Sequence, residues 1–244
     1  MLNTALLIAG KALRLCLTRG RFCPGGPILL QALILGLLII FMFSLVPAMA
    51  LSKNAAGEPL APALAAMLFW MSSLAAQTVI FQHLYAFERS GGVRLLLRAA
   101  PVAPQAVWLG KALAGLAFLV IIQLILFPAL VLLLQQKVGL DWQAALSGFI
   151  LADVGLAALG ALLGAFPAAA PGASHRRSLL PAIFSLPLLI PLLLAAAQLF
   201  QGAFIPDVAV FTPDALPWLG LLTAFDALTI GAALILFPYV FTEE

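Results

Sequence analysis

Charge is what this sequence has least of. Lys, Arg, Asp and Glu together make up 9% of its 244 residues, whereas a soluble domain carries about 25% charged residues. Hydrophobic residues make up 64% of the chain, and the mean hydropathy is +1.17. So few charges cannot cover a surface that faces water, so the composition predicts an integral membrane protein. The basic residues form no concentrated basic face, so nucleic acid is not an expected partner.

Cysteine and histidine, the side chains used most often in redox and metal sites, are also scarce. The only cysteines are Cys16 and Cys23, and their spacing matches neither a CxxC motif nor the CxxCH motif of haem attachment. The only histidines are His83 and His175, and no HExxH motif contains them. We therefore expect free thiols, no metal site and no cofactor bound directly by this chain.

Motifs of catalysis and of nucleotide binding are missing as well. Ser147 lacks the glycine two residues earlier that an intramembrane serine protease would have, and no two carboxylates are paired at helical spacing inside an apolar segment. Gly10-Lys11 and Gly110-Lys111 resemble the end of a P-loop. Alanine follows each of them, however, and neither has a glycine five residues earlier. The sequence predicts that the chain is not an enzyme and that a separate subunit binds any ATP that drives it.

Six long apolar segments make up most of the chain. A helix needs about 20 residues to cross the hydrocarbon core of a membrane, and each segment is at least that long. They comprise residues 28–51, 61–87, 112–136, 143–170, 179–201 and 218–241. The predicted fold class is therefore an all-α integral membrane protein with six transmembrane helices, forming a single permease-like domain over residues 1–244.

The N-terminal segment, residues 1–26, has a different pattern. Lys11, Arg14 and Thr18 lie on one helical face, opposite leucines. This pattern predicts an amphipathic helix that lies on the membrane surface and contacts membrane lipids.

The basic residues between the spans are distributed asymmetrically. Ten of the twelve lie in the N-terminal segment and in the loops after the second and fourth spans, and the other two are Lys53 and Lys137 on the opposite side. Loops rich in Lys and Arg stay in the cytoplasm. We therefore expect both termini in the cytoplasm.

The longest polar interval between two spans is residues 88–111, with the sequence ERSGGVRLLLRAAPVAPQAVWLGK. It predicts a short amphipathic helix at residues 93–100, ended by Pro101 and Pro104, on the cytoplasmic surface. Such a helix either anchors the chain to lipid headgroups or docks on a soluble partner. The residues predicted to form this contact are Glu88, Arg89, Gly92, Arg94, Leu95, Leu96, Leu97, Arg98, Pro101 and Lys111.

Three polar residues inside predicted spans are candidates for a functional role. Asp153 and Asp226 are isolated carboxylates in the fourth and sixth spans. Because a charge within the membrane is costly, each is expected to face protein, a water-filled cavity or a cationic partner. Their role is either a substrate path or coupling contact, or a hydrogen bond that packs helices together. His83, near the inner end of the second span, is either a polar anchor or a ligand.

Four stretches together resemble the CcmB family, the membrane subunit of the ATP-binding-cassette complex of cytochrome c maturation, within the wider ABC-2 permease group. They are KALRLCLTRGRF, GGVRLLLRAAPVAPQAVWLGKALA, RRSLLPAIFSLPLLIPLLL and WLGLLTAFDALTIGAALILFPYVFTEE, in that order along the chain. The family usually has an acidic residue shortly after the glycine of the second stretch, whereas this chain has Arg94. Asp153 is a further departure from the family pattern.

The resemblance implies a six-helix permease in the inner membrane of a bacterium. Its partners would be a cytoplasmic CcmA-like ATPase, which binds ATP, and CcmC-like and CcmD-like membrane subunits, with a second copy of the chain as a further candidate. The complex would handle haem and release haem-loaded CcmE on the periplasmic side. Residues 88–111 would hold a coupling helix, with Leu95, Leu96 and Leu97 in a groove of the ATPase.

Two other functions share these sequence features. An ABC-2 permease for another cargo, such as a glycan, a lipid or a small hydrophobic compound, would have the same topology. A membrane scaffold that transports nothing would also have it, but it would tolerate changes in the leucine triplet of residues 95–97.

Overall fold

The structure is a computed structural model of the chain. It describes residues 2–17, 25–46, 62–89, 102–139, 143–169, 189–204 and 215–242. These residues are helical apart from short stretches at 102–103 and 134–139, and this part of the chain contains no strand. The helices are α1 (Leu2–Leu17), α2 (Gly25–Val46), α3 (Pro62–Arg89), α4 (Pro104–Leu133), α5 (Gln143–Ala169), α6 (Leu189–Phe204, with a 3-10 turn at its end) and α7 (Ala215–Thr242).

Five of these helices, α2, α3, α4, α5 and α7, are long and apolar enough to cross a membrane. The predicted all-α membrane protein is therefore confirmed. The predicted span at residues 179–201 corresponds to α6, whose described part begins at Leu189 and is shorter than the other five helices.

The start of α4 differs from the predicted start of the third span. The prediction placed it at residue 112, but the helix begins at Pro104. Ala103 precedes it in an extended conformation, and Pro104 lies in the first turn. Proline has no backbone N–H, but the N–H groups of the first turn have no partner within a helix, so no helical hydrogen bond is lost. At the other end, Gln135 has a φ of 50° and the Gln136 N–H donates to the Val131 carbonyl oxygen at 3.1 Å, which is a left-handed helix cap.

The N-terminal helix packs against the bundle. α1 contacts α4, with Ala5 and Ala9 buried in the contact and Leu6, Leu7 and Lys11 exposed. Gly110 of α4 leaves room for this approach, because a Cβ atom there would lie 2.8 Å from the Cβ atom of Ile8. The predicted N-terminal helix is thus present, and one side of it faces protein.

α3 and α5 form the centre of the bundle. Buried residues make up 67% of the apolar window of α3 and 61% of that of α5, against 22% for α2. α5 packs against α3, α4 and α7, and α2 packs against α3 and α4. The outer helices therefore present most of their apolar surface outwards, as expected of helices that face lipid.

Glycines in α5 allow its neighbours to approach closely. A Cβ atom at Gly160 would collide with Phe81 and Gln77 of α3, and one at Gly164 would collide with Tyr85. On another side of the helix, a Cβ atom at Gly148 would collide with Leu199 of α6. Small residues at helix contacts are typical of membrane proteins, where close van der Waals packing drives association.

An aromatic cluster fills one end of the bundle. The rings of Phe69 and Phe200 stack with their centroids 4.6 Å apart. Four more rings surround this pair: Trp70, Phe127, Phe149 and Phe204. This end contains the first halves of α3 and α5 and the last parts of α4 and α6. The bundle thus has an aromatic end and, opposite it, an end that contains Lys111.

Candidate functional site in the helix bundle

Lys111 joins α3 to α4. Its Nζ donates a hydrogen bond of 2.6 Å to the carbonyl oxygen of Leu84, and it lies 5.0 Å from the centre of the Tyr85 ring. The side chain is only 7% exposed. A cation over an aromatic ring in a desolvated site contributes about 2 kcal/mol. We call Leu84, Tyr85 and Lys111 the lysine junction.

The lysine junction is connected to α5. The Tyr85 hydroxyl donates to the carbonyl oxygen of Ala161 at 2.7 Å. Trp108 of α4, one turn before Lys111, places its Nε1 3.4 Å from the carbonyl oxygen of Ala158. Both bonds end on the same stretch of α5, so the three helices are joined at this end of the bundle.

Two glutamines join the same three helices nearer their middle. The Gln77 carboxamide of α3 donates to the carbonyl oxygen of Leu156 in α5. Gln123 of α4 donates through Nε2 to Oδ1 of Asp153 at 2.8 Å. Both glutamines and Asp153 are buried. α3, α4 and α5 are thus held together by polar bonds at two levels, in surroundings where water cannot replace those bonds.

Asp226 of α7 lies against another side of α5. Its Oδ1 would collide with a Cβ atom at Gly155, so the carboxyl group rests directly on the backbone of α5. The residue is 8% exposed, and Oδ1 has no hydrogen-bond partner among the residues that the structure describes. Leu192 of α6 also reaches this point. Asp226 therefore lies where α5, α6 and α7 meet.

His83 of α3, the third candidate polar residue, contacts Gln31 of α2. Its Nε2 lies 3.2 Å from Oε1 of Gln31 in α2, within hydrogen-bonding distance. The pair is partly accessible at the side of the bundle, so His83 ties α3 to α2. The two predicted roles of His83, a polar anchor or a ligand, stay predictions.

The structure places the predicted contact residues of 88–111 in different settings. Glu88 and Arg89 form the end of α3, and nothing is described of their side chains. Residues 90–101 lie outside the described part of the chain, which includes Gly92, Arg94, Leu95, Leu96, Leu97, Arg98 and Pro101. Lys111, predicted at the exposed surface, is instead buried about two turns inside α4 because that helix begins at Pro104.

Several residues of the site were not identified from the sequence. Gln77, Gln123 and Tyr85 have polar groups inside apolar spans, and this is a signal that a search for amides and hydroxyls in those spans would have found. The small residues Gly160 and Gly164, four positions apart, form a GxxxG motif that indicates close helix packing. Nothing in the sequence, however, pairs Lys111 with Leu84.

No family model matches the chain, and no curated protein matches it.

Proposed function

We propose that this chain is the membrane permease subunit of an ABC-type complex, driven by a separate cytoplasmic ATPase that docks on the segment between α3 and α4. We further propose that the complex acts in cytochrome c maturation, in haem delivery or in the release of the haem-loaded chaperone CcmE. The proposed location is the inner membrane of a bacterium, with both termini in the cytoplasm.

The observation that carries this proposal is the position of the lysine junction. Leu84 lies less than two turns before the end of α3, and Lys111 lies about two turns after the start of α4. The two helix ends that flank residues 90–103 are therefore fastened together. A push on this segment would move α3 and α4 as one unit instead of separating them.

The bonds to α5 extend this unit. Tyr85 and Trp108 reach carbonyl oxygens of α5 close to the junction, and Gln77 and Gln123 reach α5 further along. A displacement at the proposed ATPase contact would thus be passed to three helices along much of their length. A permease needs this property if ATP hydrolysis outside the membrane is to change helix positions within it.

The proposed cargo rests on the resemblance of the sequence to the CcmB family. Under this proposal the ATPase is CcmA-like, CcmC-like and CcmD-like subunits complete the complex, and this chain binds neither ATP nor haem itself. An exporter permease for another cargo is the alternative that the experiment below distinguishes.

The experiment is co-purification from mildly solubilised membranes of the native host. The intact chain is compared with a Leu95→Glu, Leu96→Glu variant, and Leu132→Glu is the matched control, because Leu132 is an exposed leucine of α4 away from residues 90–103. Two quantities are measured, the ATPase subunit that travels with the chain and the c-type cytochromes that mature in the cell.

We expect the double variant to remain in the membrane and to lose both the ATPase and the c-type cytochromes. Loss of the ATPase with normal cytochrome maturation would show that the permease serves another cargo. Retention of both in the double variant would contradict the proposed docking segment.

A further inference from the structure

The carboxamide of Gln123 and the carboxyl group of Asp153 form a pair between α4 and α5. One bond joins them, from Gln123 Nε2 to Asp153 Oδ1 at 2.8 Å, and each residue is 1% exposed. The other oxygen of each group, Gln123 Oε1 and Asp153 Oδ2, is buried and has no hydrogen-bond partner among the described residues. The pair therefore contains two unsatisfied acceptor atoms.

A single proton can satisfy both of these atoms. An ionised carboxylate only accepts hydrogen bonds, whereas a protonated carboxyl group has one O–H donor. An acid and an amide that are already joined by an N–H···O bond can form a second, O–H···O bond once the acid carries a proton. Without that proton, two acceptor oxygens remain unsatisfied and a negative charge is buried in apolar surroundings, which is strongly unfavourable.

We propose that Gln123 and Asp153 form a proton-binding site within the membrane-spanning part of the bundle. Asp153 Oδ2 holds the proton, and its O–H group donates a hydrogen bond to Gln123 Oε1, while Gln123 Nε2 donates to Asp153 Oδ1. In the proton-bound form, two hydrogen bonds join α4 to α5 at this level. Release of the proton leaves a carboxylate and one bond, so the site links proton occupancy to the contact between these helices. This inference does not depend on the proposed cargo or on the ATPase.

The titratable groups in the helices around α5 are placed so that none pairs with Asp153. Lys111 precedes Gln123 by twelve residues in α4, a distance of about 18 Å along the helix. His83 and Tyr85 of α3 lie at the same end of the bundle as Lys111. Asp226 of α7 contacts α5 at Gly155, and the described part of α6 contains no titratable residue. Tyr239 of α7 is exposed. The charge of Asp153 thus has no described cation to balance it.

The test is infrared spectroscopy of the purified chain in lipid nanodiscs at neutral pH. All samples carry Asp226→Asn, which leaves Asp153 as the only aspartate in the described helices. We expect a carbonyl band of a protonated carboxyl group that is lost in Asp153→Asn. We also expect Gln123→Leu to shift this band to higher frequency, because the carbonyl oxygen Oδ1 loses its N–H donor and the O–H group loses its acceptor.

Gln77→Leu is the matched control, since it removes another buried glutamine that also bonds to α5 but does not contact Asp153. Its carbonyl band should stay at the original position. Absence of any protonated-carboxyl band that depends on Asp153 would overturn the proposal. If Asp153→Asn fails to fold, the Gln123→Leu comparison decides alone: a shifted band supports the site, and an unshifted band overturns it.

Discussion

Lys111 of α4 donates a hydrogen bond of 2.6 Å to the carbonyl oxygen of Leu84 in α3. These residues are 27 positions apart, and the segment proposed to meet the ATPase lies between them. A lysine inside a membrane-spanning helix is costly unless its charge has partners. Here the carbonyl oxygen and the face of the Tyr85 ring both contact the ammonium group. The bond therefore fastens the end of α3 to the start of α4.

Replacement of Lys111 should weaken the contact between α3 and α4. We expect Lys111→Met to lower the free energy of unfolding by about 2 kcal/mol. The substitution removes a charge-assisted hydrogen bond and a cation–π contact, and this loss is partly offset because methionine does not bury a charge. The measurement is the unfolding of the purified chain in detergent, followed by circular dichroism. The control is Lys11→Met, since Lys11 is exposed on α1. Equal effects of the two substitutions would show that the lysine junction does not stabilise the fold.

Close packing between α3 and α5 should make Gly160 intolerant of any side chain. A Cβ atom there would meet Phe81 and Gln77 of α3. Overpacking of this kind costs about 1–3 kcal/mol, so Gly160→Ala should lower the midpoint of thermal unfolding in detergent.

The matched control for Gly160 is Gly231→Ala in α7, where nothing lies within 4 Å of the added atom. That change should be neutral or stabilising by up to about 1 kcal/mol, because alanine favours a helix more than glycine does. If Gly160→Ala proved as stable as Gly231→Ala, the close contact between α3 and α5 would be refuted.

The distribution of basic residues predicts the orientation of the chain in the membrane. In a background with Cys16→Ser and Cys23→Ser, single cysteines are introduced as Asn54→Cys and Ser174→Cys. We expect a membrane-impermeant maleimide to label position 54 in intact spheroplasts and position 174 only after the membrane is permeabilised. Labelling in the reverse order would place both termini outside the cytoplasm.

Much of the fold could be predicted from the sequence because a membrane restricts the choice of structure. Every backbone polar group must be bonded within its own helix when water is absent, so a long apolar run becomes a helix. Composition and segment length were therefore enough to predict an all-α membrane protein. The predicted start of α4 is too late because the sequence pattern assigns residues 104–111 to a polar surface segment, whereas the helix begins at Pro104 and Ala106, Val107 and Trp108 are buried.

The sequence by itself predicted an all-α membrane protein built from long apolar helices, with the isolated carboxyl groups of Asp153 and Asp226 inside two of them. Only the tertiary structure decided that Lys111 and Gln123 are also buried in the bundle, and which polar groups meet there. Lys111 pairs with Leu84, Gln123 pairs with Asp153, and Asp226 rests on Gly155. The physical reason is that helix formation depends on neighbours along the chain, whereas these contacts depend on how helices pack. In lipid, that packing is set by small residues and by a few polar bonds between residues far apart in the sequence.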